Sequence, residues 1–196
     1  MSRLLPNFLT EPQMIALVRA PDLTAPEGLR DRAVLAVLCA CGLRASELCR
    51  LRVRDVSSTL VFVRAGKFGA QRYVPISPAA YRAVRAYLAA YPARADEWLF
   101  RTAPAHPLSR RRLHKLVDRY ALALKLPRGV HTLRHSAATR WLNRGMSIRS
   151  VQVCLGHARI ATTAGYLGIA TDALVAEYQR TCSTAPAGAA VAGGDR

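Results

Sequence analysis

Apolar side chains recur at helical spacing along most of the chain. In residues 28–41, for example, Leu29, Ala33 and Ala40 fall on one face of a helix, and Gly42 is placed to end it. Helices are predicted over residues 11–20, 28–41, 45–50, 78–91, 110–125, 132–144, 148–156, 162–167 and 171–182. Residues suited to the N-cap position precede several of these segments, namely Thr10 (with Gln13 in a capping box), Ser77, Ser109 and Ser147.

One stretch changes to the two-residue period of a β-strand. Residues 59–65 and 71–76 are rich in β-branched and aromatic side chains, and the segment between them includes two glycines. This pattern predicts a β-hairpin with Lys67 at its tip. The predicted fold class is therefore mostly α with one small antiparallel β-sheet, an α+β arrangement.

The length and composition favour a single folded domain. With 196 residues, of which 51% are hydrophobic, the chain can bury a core that a disordered basic tail could not form. We expect one domain over residues 1–182 and a disordered Ala- and Gly-rich tail over residues 183–196. The longest apolar run, residues 33–43, is far shorter than the roughly 20 residues needed to cross a bilayer. Since a secretory signal is also missing, we expect the protein in the cytoplasm with its cysteines reduced.

The charge is strongly basic and unevenly distributed. The chain has 29 Lys and Arg residues against 12 acids, and residues 101–150 contain twelve of those cations with a single acid, Asp118. A solvated basic surface without function would give the same count, but cations at this density repel one another unless a polyanion neutralises them. Nucleic acid is the expected partner.

Several kinds of catalytic site are disfavoured by what the sequence lacks. The acids form no carboxylate group suited to hold divalent metal ions, and a Gly-rich phosphate-binding loop is missing. The cysteines contain no C-x2-C pair. His131 and His135 have a metal-ligand spacing and His157 could add a third ligand, but the glutamate of a metalloprotease motif does not stand between them. We therefore expect no metal and no cofactor.

A further set of residues is suited to bind phosphate and to move protons. Arg44 lies three residues before Glu47, which could orient its guanidinium group, although a surface salt bridge would have the same spacing. His131 and Arg134 share a helical face and could present an imidazole and a guanidinium to one phosphate. Tyr166 could be a nucleophile or an ordinary core residue.

These residues belong to a series of short motifs that resembles the tyrosine recombinase (phage integrase) family. The resemblance extends from about residue 5 to residue 182. In chain order the motifs are Arg44-Ala-Ser-Glu-Leu, Lys67 in a turn followed by Arg72-Tyr-Val-Pro-Ile, His131-Thr-Leu-Arg134-His135, Leu155-Gly156-His157 and Tyr166. The resemblance implies the catalytic-domain fold of this family and a site that cuts DNA without metal or ATP.

The resemblance implies that Tyr166 is the nucleophile. Its phenolic oxygen would attack the scissile phosphate to give a 3′-phosphotyrosyl link and a free 5′-hydroxyl, and Lys67 would protonate the leaving oxygen. A tyrosine hydroxyl is a weak nucleophile at neutral pH, but neighbouring cations favour its phenolate form. Because the phosphotyrosine conserves the energy of the backbone bond, resealing would need no ATP.

The same resemblance implies that the remaining site residues bind the scissile phosphate or support the residues that do. Arg44 and Arg134 would hold the non-bridging oxygens and offset the charge of the transition state. His131 and His157 would hydrogen-bond the phosphate and assist proton movement, and Glu47 matches the acidic partner of the first arginine. The side chains expected to contact double-stranded DNA are Arg110, Arg111, Arg112, Lys115 and Arg140.

Two departures from the family alter these expectations. Most members carry an amino-terminal helical domain, whereas this chain starts at the catalytic domain. Either the sequence is a fragment of a longer member, or it is a compact member similar to the fimbrial phase-variation invertases and the Xer-type recombinases. We expect the compact form, with less extensive DNA contact or with the help of accessory DNA-bending proteins. Gly165 and Gly168 flank Tyr166, which raises local flexibility.

The helix predicted over residues 171–182 either inserts into a neighbouring protomer or packs on its own domain, through an apolar face of Ala173, Leu174, Ala176 and Tyr178.

Three functions remain open on these observations. The leading hypothesis is site-specific recombination by four protomers on two DNA sites, with integration, excision or inversion as the outcome. A type IB topoisomerase would use the same chemistry as a single chain to relax DNA. A catalytically silent DNA-binding regulator would keep the fold without the reaction.

Overall fold

The computed structural model describes residues 8–64, 71–103, 106–156 and 167–182, of which 167–173 are described by their backbone alone. Its helices are α1 (Glu11–Arg19), α2 (Gly28–Cys41), α3 (Ala45–Leu48), α4 (Pro78–Ala90), α5 (Arg110–Ala123), α6 (Val130–Asn143), α7 (Ile148–Leu155) and α8 (Leu167–Cys182). Its strands are β1 (Leu60–Val63), β2 (Arg72–Pro75), β3 (Arg101–Ala103) and β4 (His106–Pro107), and a 3-10 turn covers Val53–Asp55. The predicted fold class, mostly α with a small antiparallel component, is confirmed.

The helix starts follow the capping residues of the sequence. Thr10 and Gln13 form the predicted capping box at α1, in which the Thr10 N–H donates to Gln13 Oε1 at 2.8 Å and the Gln13 N–H to Thr10 Oγ1 at 3.4 Å. The hydroxyls of Ser77, Ser109 and Ser147 accept backbone N–H groups at the starts of α4, α5 and α7. These predicted N-caps are confirmed.

Helix α2 is the centre of the core. It packs against α1, α4 and α6, so its apolar residues from Ala33 onward are buried around the whole helix rather than on the single predicted face, while Leu29 is half-buried. It ends at Gly42, whose φ of 57° is a left-handed conformation that glycine adopts with little strain. This turn directs Leu43 back into the core and brings Arg44 to the surface.

The predicted hairpin is present as β1 and β2. The two strands pair antiparallel, with Leu60 opposite Pro75 and Val63 opposite Arg72. Along β2, Arg72 and Val74 are buried while Tyr73 between them is exposed, so the arginine points to the same side as the core residue. Residues 65–70, which contain the predicted tip at Lys67, lie outside the described residues.

A second small sheet corrects the prediction of a single one. Strands β3 and β4 pair antiparallel, with Arg101 opposite Pro107 and Ala103 opposite His106. These strands are only three and two residues long and carry a proline, so they show no alternating pattern that sequence reasoning could detect.

Helix α8 packs on its own domain, one of the two alternatives left open by the sequence. Leu174, Tyr178 and Cys182 are buried at helical spacing, and the helix contacts β2. Ala176 is exposed, which corrects the predicted apolar face, and Ala173 lies outside the described side chains. The carboxylate of Glu177 also accepts the Ser147 N–H at 2.7 Å and the Ser150 hydroxyl, both at the start of α7.

The helix predicted over residues 162–167 lies outside the described residues, apart from Leu167, at which α8 begins. In the part of the chain that the structure covers, every helix is too short or too polar to span a lipid bilayer.

Candidate active site

Glu47 lies at the centre of the candidate site. Helix α3 begins directly after Arg44, and the Glu47 carboxylate reaches back to accept the Arg44 backbone N–H at 2.8 Å. The Arg44 guanidinium donates a second hydrogen bond to Glu47 Oε1 at 3.0 Å. Only 2% of the Glu47 side chain is exposed, against 43% for Arg44. The local turn therefore holds the predicted pair together, with the Glu47 carboxylate buried and the Arg44 guanidinium facing outward.

Arg72 from β2 is the second arginine on this carboxylate. Its two terminal nitrogens donate to the two oxygens of Glu47, each at 2.9 Å, which is a bidentate geometry. Its Nε donates to the carbonyl of Cys154 at 2.7 Å. Arg72 is not among the site residues predicted from the sequence. The available signal was the alternation along β2, which places this arginine on the same face as Val74.

Arg134 from α6 is the third arginine. Its guanidinium donates to the carbonyl of Gly42, where α2 ends, at 2.9 Å, and to the carbonyl of Leu155, where α7 ends, at 2.6 Å. It also approaches Glu47 Oε2 to 4.0 Å. Helix C-termini carry partial negative charge, so both contacts favour a cation. We call Arg44, Glu47, Arg72 and Arg134 the Glu47 cluster.

The Glu47 cluster carries more positive than negative charge. Three guanidinium groups surround one carboxylate, which leaves a formal surplus of two positive charges. Burial acts to raise the pKa of Glu47, but hydrogen bonds and charge from Arg72 and the hydrogen bonds of Arg44 outweigh it and lower this pKa to about 2. Burial, together with the nearby charge of Arg44, lowers the pKa of Arg134 to about 10. Glu47 and Arg134 are therefore both charged at neutral pH, and the formal surplus of positive charge makes the cluster suited to bind an anion.

His131 lies one turn before Arg134 on α6 and is exposed. Its Nε2 is 2.8 Å from Nε2 of His135, a distance at which one nitrogen donates a proton and the other accepts it. Burial lowers the pKa of His131, and the charges of His135, Arg134 and Arg44 lower it further. A neutral imidazole beside an anion-binding cluster can accept or relay a proton near neutral pH. The structure thus brings four predicted site residues together: Arg44, Glu47, His131 and Arg134.

Three predicted catalytic residues, Lys67, His157 and Tyr166, lie outside the described residues. In the sequence, His157 directly follows Gly156, the residue that ends α7, and Tyr166 directly precedes α8. Their roles stay predictions. Within the described part of the chain, His, Cys, Asp and Glu side chains form no group of three or more that could hold a metal ion.

Four of the five predicted DNA-contacting residues lie on one exposed surface. Arg110, Arg111, Arg112 and Lys115 are exposed along the first turns of α5, whose other face is buried. The charge of Arg110 reaches Cys49 at the end of α3, where burial raises the thiol pKa to about 11 and this arginine opposes the shift. This basic surface therefore lies beside the short helix that carries Glu47.

Arg140, the fifth of these residues, is half-buried on α6. Its guanidinium donates to the carbonyls of Cys39 and Ala40 near the end of α2, at 3.1 and 3.5 Å. This arginine therefore helps to close the C-terminus of α2, and its predicted contact with DNA stays a prediction.

Comparison with protein families identifies the class to which this fold and site belong. The model of the phage integrase family matches residues 7–172, so the chain belongs to this family. The predicted resemblance is confirmed.

The curated relatives are tyrosine recombinases. The chain is 38% identical to tyrosine recombinase XerC of Pelotomaculum thermopropionicum over 189 residues, which cover 90% of this chain and 62% of the relative. It is 40% identical to tyrosine recombinase XerD of Ralstonia nicotianae over 178 residues, which cover 86% of this chain and 58% of the relative. The chain therefore spans about three fifths of the length of these relatives.

Solved structures show the same fold. The XerA recombinase matches with a TM-score of 0.69 at 27% identity, over 92% of this chain and 67% of that one. The XerH site-specific recombinase bound to its difH substrate matches with a TM-score of 0.66 at 22% identity, over 89% of this chain and 51% of that one. The first supports the family relationship and the second supports the fold.

Proposed function

We propose that this chain cuts and rejoins double-stranded DNA as a tyrosine site-specific recombinase. The observation that carries the proposal is the Glu47 cluster, in which two positive charges remain uncompensated beside His131, whose pKa is lowered by burial and by the neighbouring cations. This arrangement occurs in a chain that belongs to the phage integrase family and is similar to XerC and XerD recombinases.

In the proposed reaction, the phenolic oxygen of Tyr166 forms a bond to the scissile phosphorus while the bond from phosphorus to the 5′-oxygen breaks. The phenolic proton passes to the neutral imidazole of His131, and Lys67 donates a proton to the leaving 5′-oxygen. The products are a 3′-phosphotyrosyl link and a free 5′-hydroxyl. Rejoining reverses these steps with the 5′-hydroxyl of another strand, so no energy source is consumed.

The arginines would act on the charge that develops at phosphorus. A pentacoordinate phosphorane carries one more negative charge than the phosphodiester, and the surplus of the Glu47 cluster matches this dianion. Arg44 has one side-chain hydrogen bond among the described residues, to Glu47, so its other N–H groups can bind a phosphate oxygen. Arg134 is held by two backbone carbonyls, which fixes its direction before the substrate arrives. His157 would bond the same phosphate.

DNA would lie across the exposed cations of α5, with Arg140 as a further contact. The Tn1549 transposon integrase, which shares this fold at 23% identity, was solved with a circular intermediate DNA, and XerH was solved with difH. We propose that four copies of this chain assemble on two DNA sites, with accessory DNA-bending proteins, on the nucleoid in the cytoplasm.

The test is covalent capture on a pool of nicked duplexes of randomised sequence. A short strand leaves from the nick after cleavage, so the adduct cannot reseal, and denaturing electrophoresis detects the labelled strand on the protein. The wild-type chain should form the adduct and Tyr166→Phe should form none. An adduct that persists in Tyr166→Phe would contradict the assignment of the nucleophile.

The same preparation separates the alternative functions. The captured sequence is resynthesised and placed twice in a supercoiled plasmid, and exchange between the two copies supports recombination. Relaxation of a plasmid that lacks the sequence would indicate a topoisomerase instead. Binding to the pool without any adduct would indicate a silent regulator.

A further inference from the structure

Arg72 is a buried arginine whose role the proposed reaction leaves open. Only 7% of its side chain is exposed, and its Nε and both terminal nitrogens donate hydrogen bonds of 2.7 to 2.9 Å. Two of these bonds go to Glu47 and one goes to the Cys154 carbonyl near the end of α7. A guanidinium so enclosed is not placed to contact DNA, in contrast to the outward-facing Arg44.

The backbone at the end of α7 is shaped to receive this guanidinium. Gly156 has a φ of 66°, and a Cβ built on it would lie only 2.9 to 3.1 Å from the Nη1, Cζ and Nε atoms of Arg72. A side chain at this position would therefore displace the guanidinium. Glycine is required here both by the left-handed conformation and by the close approach of Arg72.

The contacts connect parts of the chain that lie far apart in sequence. Arg72 on β2 joins Glu47 on α3 to the Cys154 carbonyl on α7, while Arg134 joins the end of α2 to the Leu155 carbonyl. Both carbonyls at the end of α7 are thus bound by arginines of the Glu47 cluster. A lysine could keep the charge of Arg72 but could not reproduce three donors fixed in one plane.

We propose that Arg72 is a positioning residue for the phosphate-binding arginine. It holds the Glu47 carboxylate in a fixed orientation, Glu47 aligns Arg44, and the bond to Cys154 fixes all three relative to the end of α7. This role rests on the proposed function, since Arg44 is the group that would touch the phosphate. A displacement of about 1 Å at a reacting group can reduce a rate by about 100-fold, which sets the size of the expected effect.

The test compares Arg72→Lys with a matched control, Arg30→Lys. Arg30 also donates two hydrogen bonds to a buried carboxylate, that of Asp31, near the opposite end of α2. With the captured nicked duplex, adduct formation in a single turnover should fall by about 100-fold in Arg72→Lys and stay at the wild-type rate in Arg30→Lys. Noncovalent DNA affinity should change little in both variants, because a duplex is held by many other cations besides the one at the scissile phosphate.

A duplex with an uncharged methylphosphonate at the scissile position distinguishes a positioning role of Arg72 from a general structural defect. When one non-bridging oxygen of the scissile phosphate is replaced by methyl, the transition state carries one less negative charge and depends less on Arg44. On this methylphosphonate duplex, the rate of adduct formation in Arg72→Lys should return close to that of the wild type. The rate in Arg44→Ala should recover in the same way. An equal deficit on both substrates would show that Arg72 only supports the fold and would overturn the proposal.

Failure of the proposed function gives a different result. If the wild-type chain forms no adduct, recombination is rejected, and the positioning role is then decided with inorganic phosphate alone. Arg72→Lys should bind phosphate more weakly than Arg30→Lys in isothermal titration, and equal affinities would overturn the proposal. If Arg72→Lys does not fold, Arg72→Gln provides the same comparison, because its planar amide can still donate hydrogen bonds to Glu47 but cannot also reach the Cys154 carbonyl.

Discussion

The two ends of α2 each lie beside a buried carboxylate surrounded by arginines, and only one of them is a candidate active site. At the C-terminal end stands the Glu47 cluster. Near the N-terminal end stands what we call the Asp31 cluster, in which Asp31 accepts hydrogen bonds from Arg30 at 2.8 and 3.1 Å, from Arg119 at 2.6 Å and from the Tyr120 hydroxyl at 3.1 Å. Both carboxylates are nearly inaccessible to solvent.

The clusters differ in their balance of charge. Two arginines face Asp31, and Glu27 lies 3.7 Å from Arg30, so two cations meet two anions. Asp31 also lies in the first turn of α2, where the helix dipole stabilises a carboxylate. The Glu47 cluster has three cations for one anion. A buried acid with arginines is therefore common to both ends, whereas an uncompensated positive surplus beside a histidine distinguishes the candidate anion-binding end.

The largest expected effect is on stability, in Glu47→Gln and Asp31→Asn. Glu47→Gln leaves the enclosed charges of Arg72 and Arg134 without a counterion and should lower the free energy of unfolding by about 3 to 5 kcal/mol. Asp31→Asn should cost less, about 1 to 3 kcal/mol, because water can solvate the Arg119 side chain, which is 57% exposed, and Glu27 remains 3.7 Å from Arg30 as a counterion. Urea unfolding followed by circular dichroism measures both. A larger loss in Asp31→Asn would reverse the comparison.

An intermediate effect on the stability of the folded chain is expected when inorganic phosphate is added. An anion that binds the folded chain at 100 times its dissociation constant stabilises it by about 2.7 kcal/mol, and the melting temperature should rise accordingly. The rise should persist in Arg119→Ala and be lost in Arg44→Ala, since the cluster with the charge surplus binds the anion. Chloride at matched ionic strength is the control. Equal rises in the two variants would show that the surplus does not select the site.

The smallest effect concerns protonation of His131. Because its pKa is lowered in the folded chain, the unfolded chain takes up this proton first, and stability should decrease as the pH falls below about 6.5. Titration by NMR should show the His131 pKa rising in Arg44→Ala, where one of the cations that lowers it is removed. It should not change in Arg119→Ala. A shift of the same size in both variants would mean that net charge, and not the Glu47 cluster, sets this pKa.

The elements that the sequence predicted well are those whose signals are local. The Thr10 capping box, the serine N-caps and the stop at Gly42 depend on contacts within a few residues, and the structure contains them. The Arg44 and Glu47 pair has the same local character, since three residues separate the partners. Strands β3 and β4 escaped prediction because their pairing leaves almost no periodic pattern in so short a segment.

The contacts that the sequence could not reveal span long separations. Arg72 and Glu47 are 25 residues apart, and Arg134 lies 92 residues from the Gly42 carbonyl that it binds. A buried position on β2 could be predicted for Arg72, but its partner depends on how α3 and α7 pack. The placement of α8 was open for a similar reason, because the apolar face of a helix does not specify which subunit covers it.

Helix α7 is held at both ends by side chains from other elements. Glu177 of α8 binds its first turn, and Arg72 and Arg134 bind its last carbonyls. An eight-residue helix is about 12 Å long, so these contacts lie close to one another. If α8 moved away from the domain, the first turn of α7 would lose its hydrogen bond to Glu177. Its last carbonyls would still be bound by Arg72 and Arg134. One short helix therefore links the carboxy-terminal helix to the Glu47 cluster.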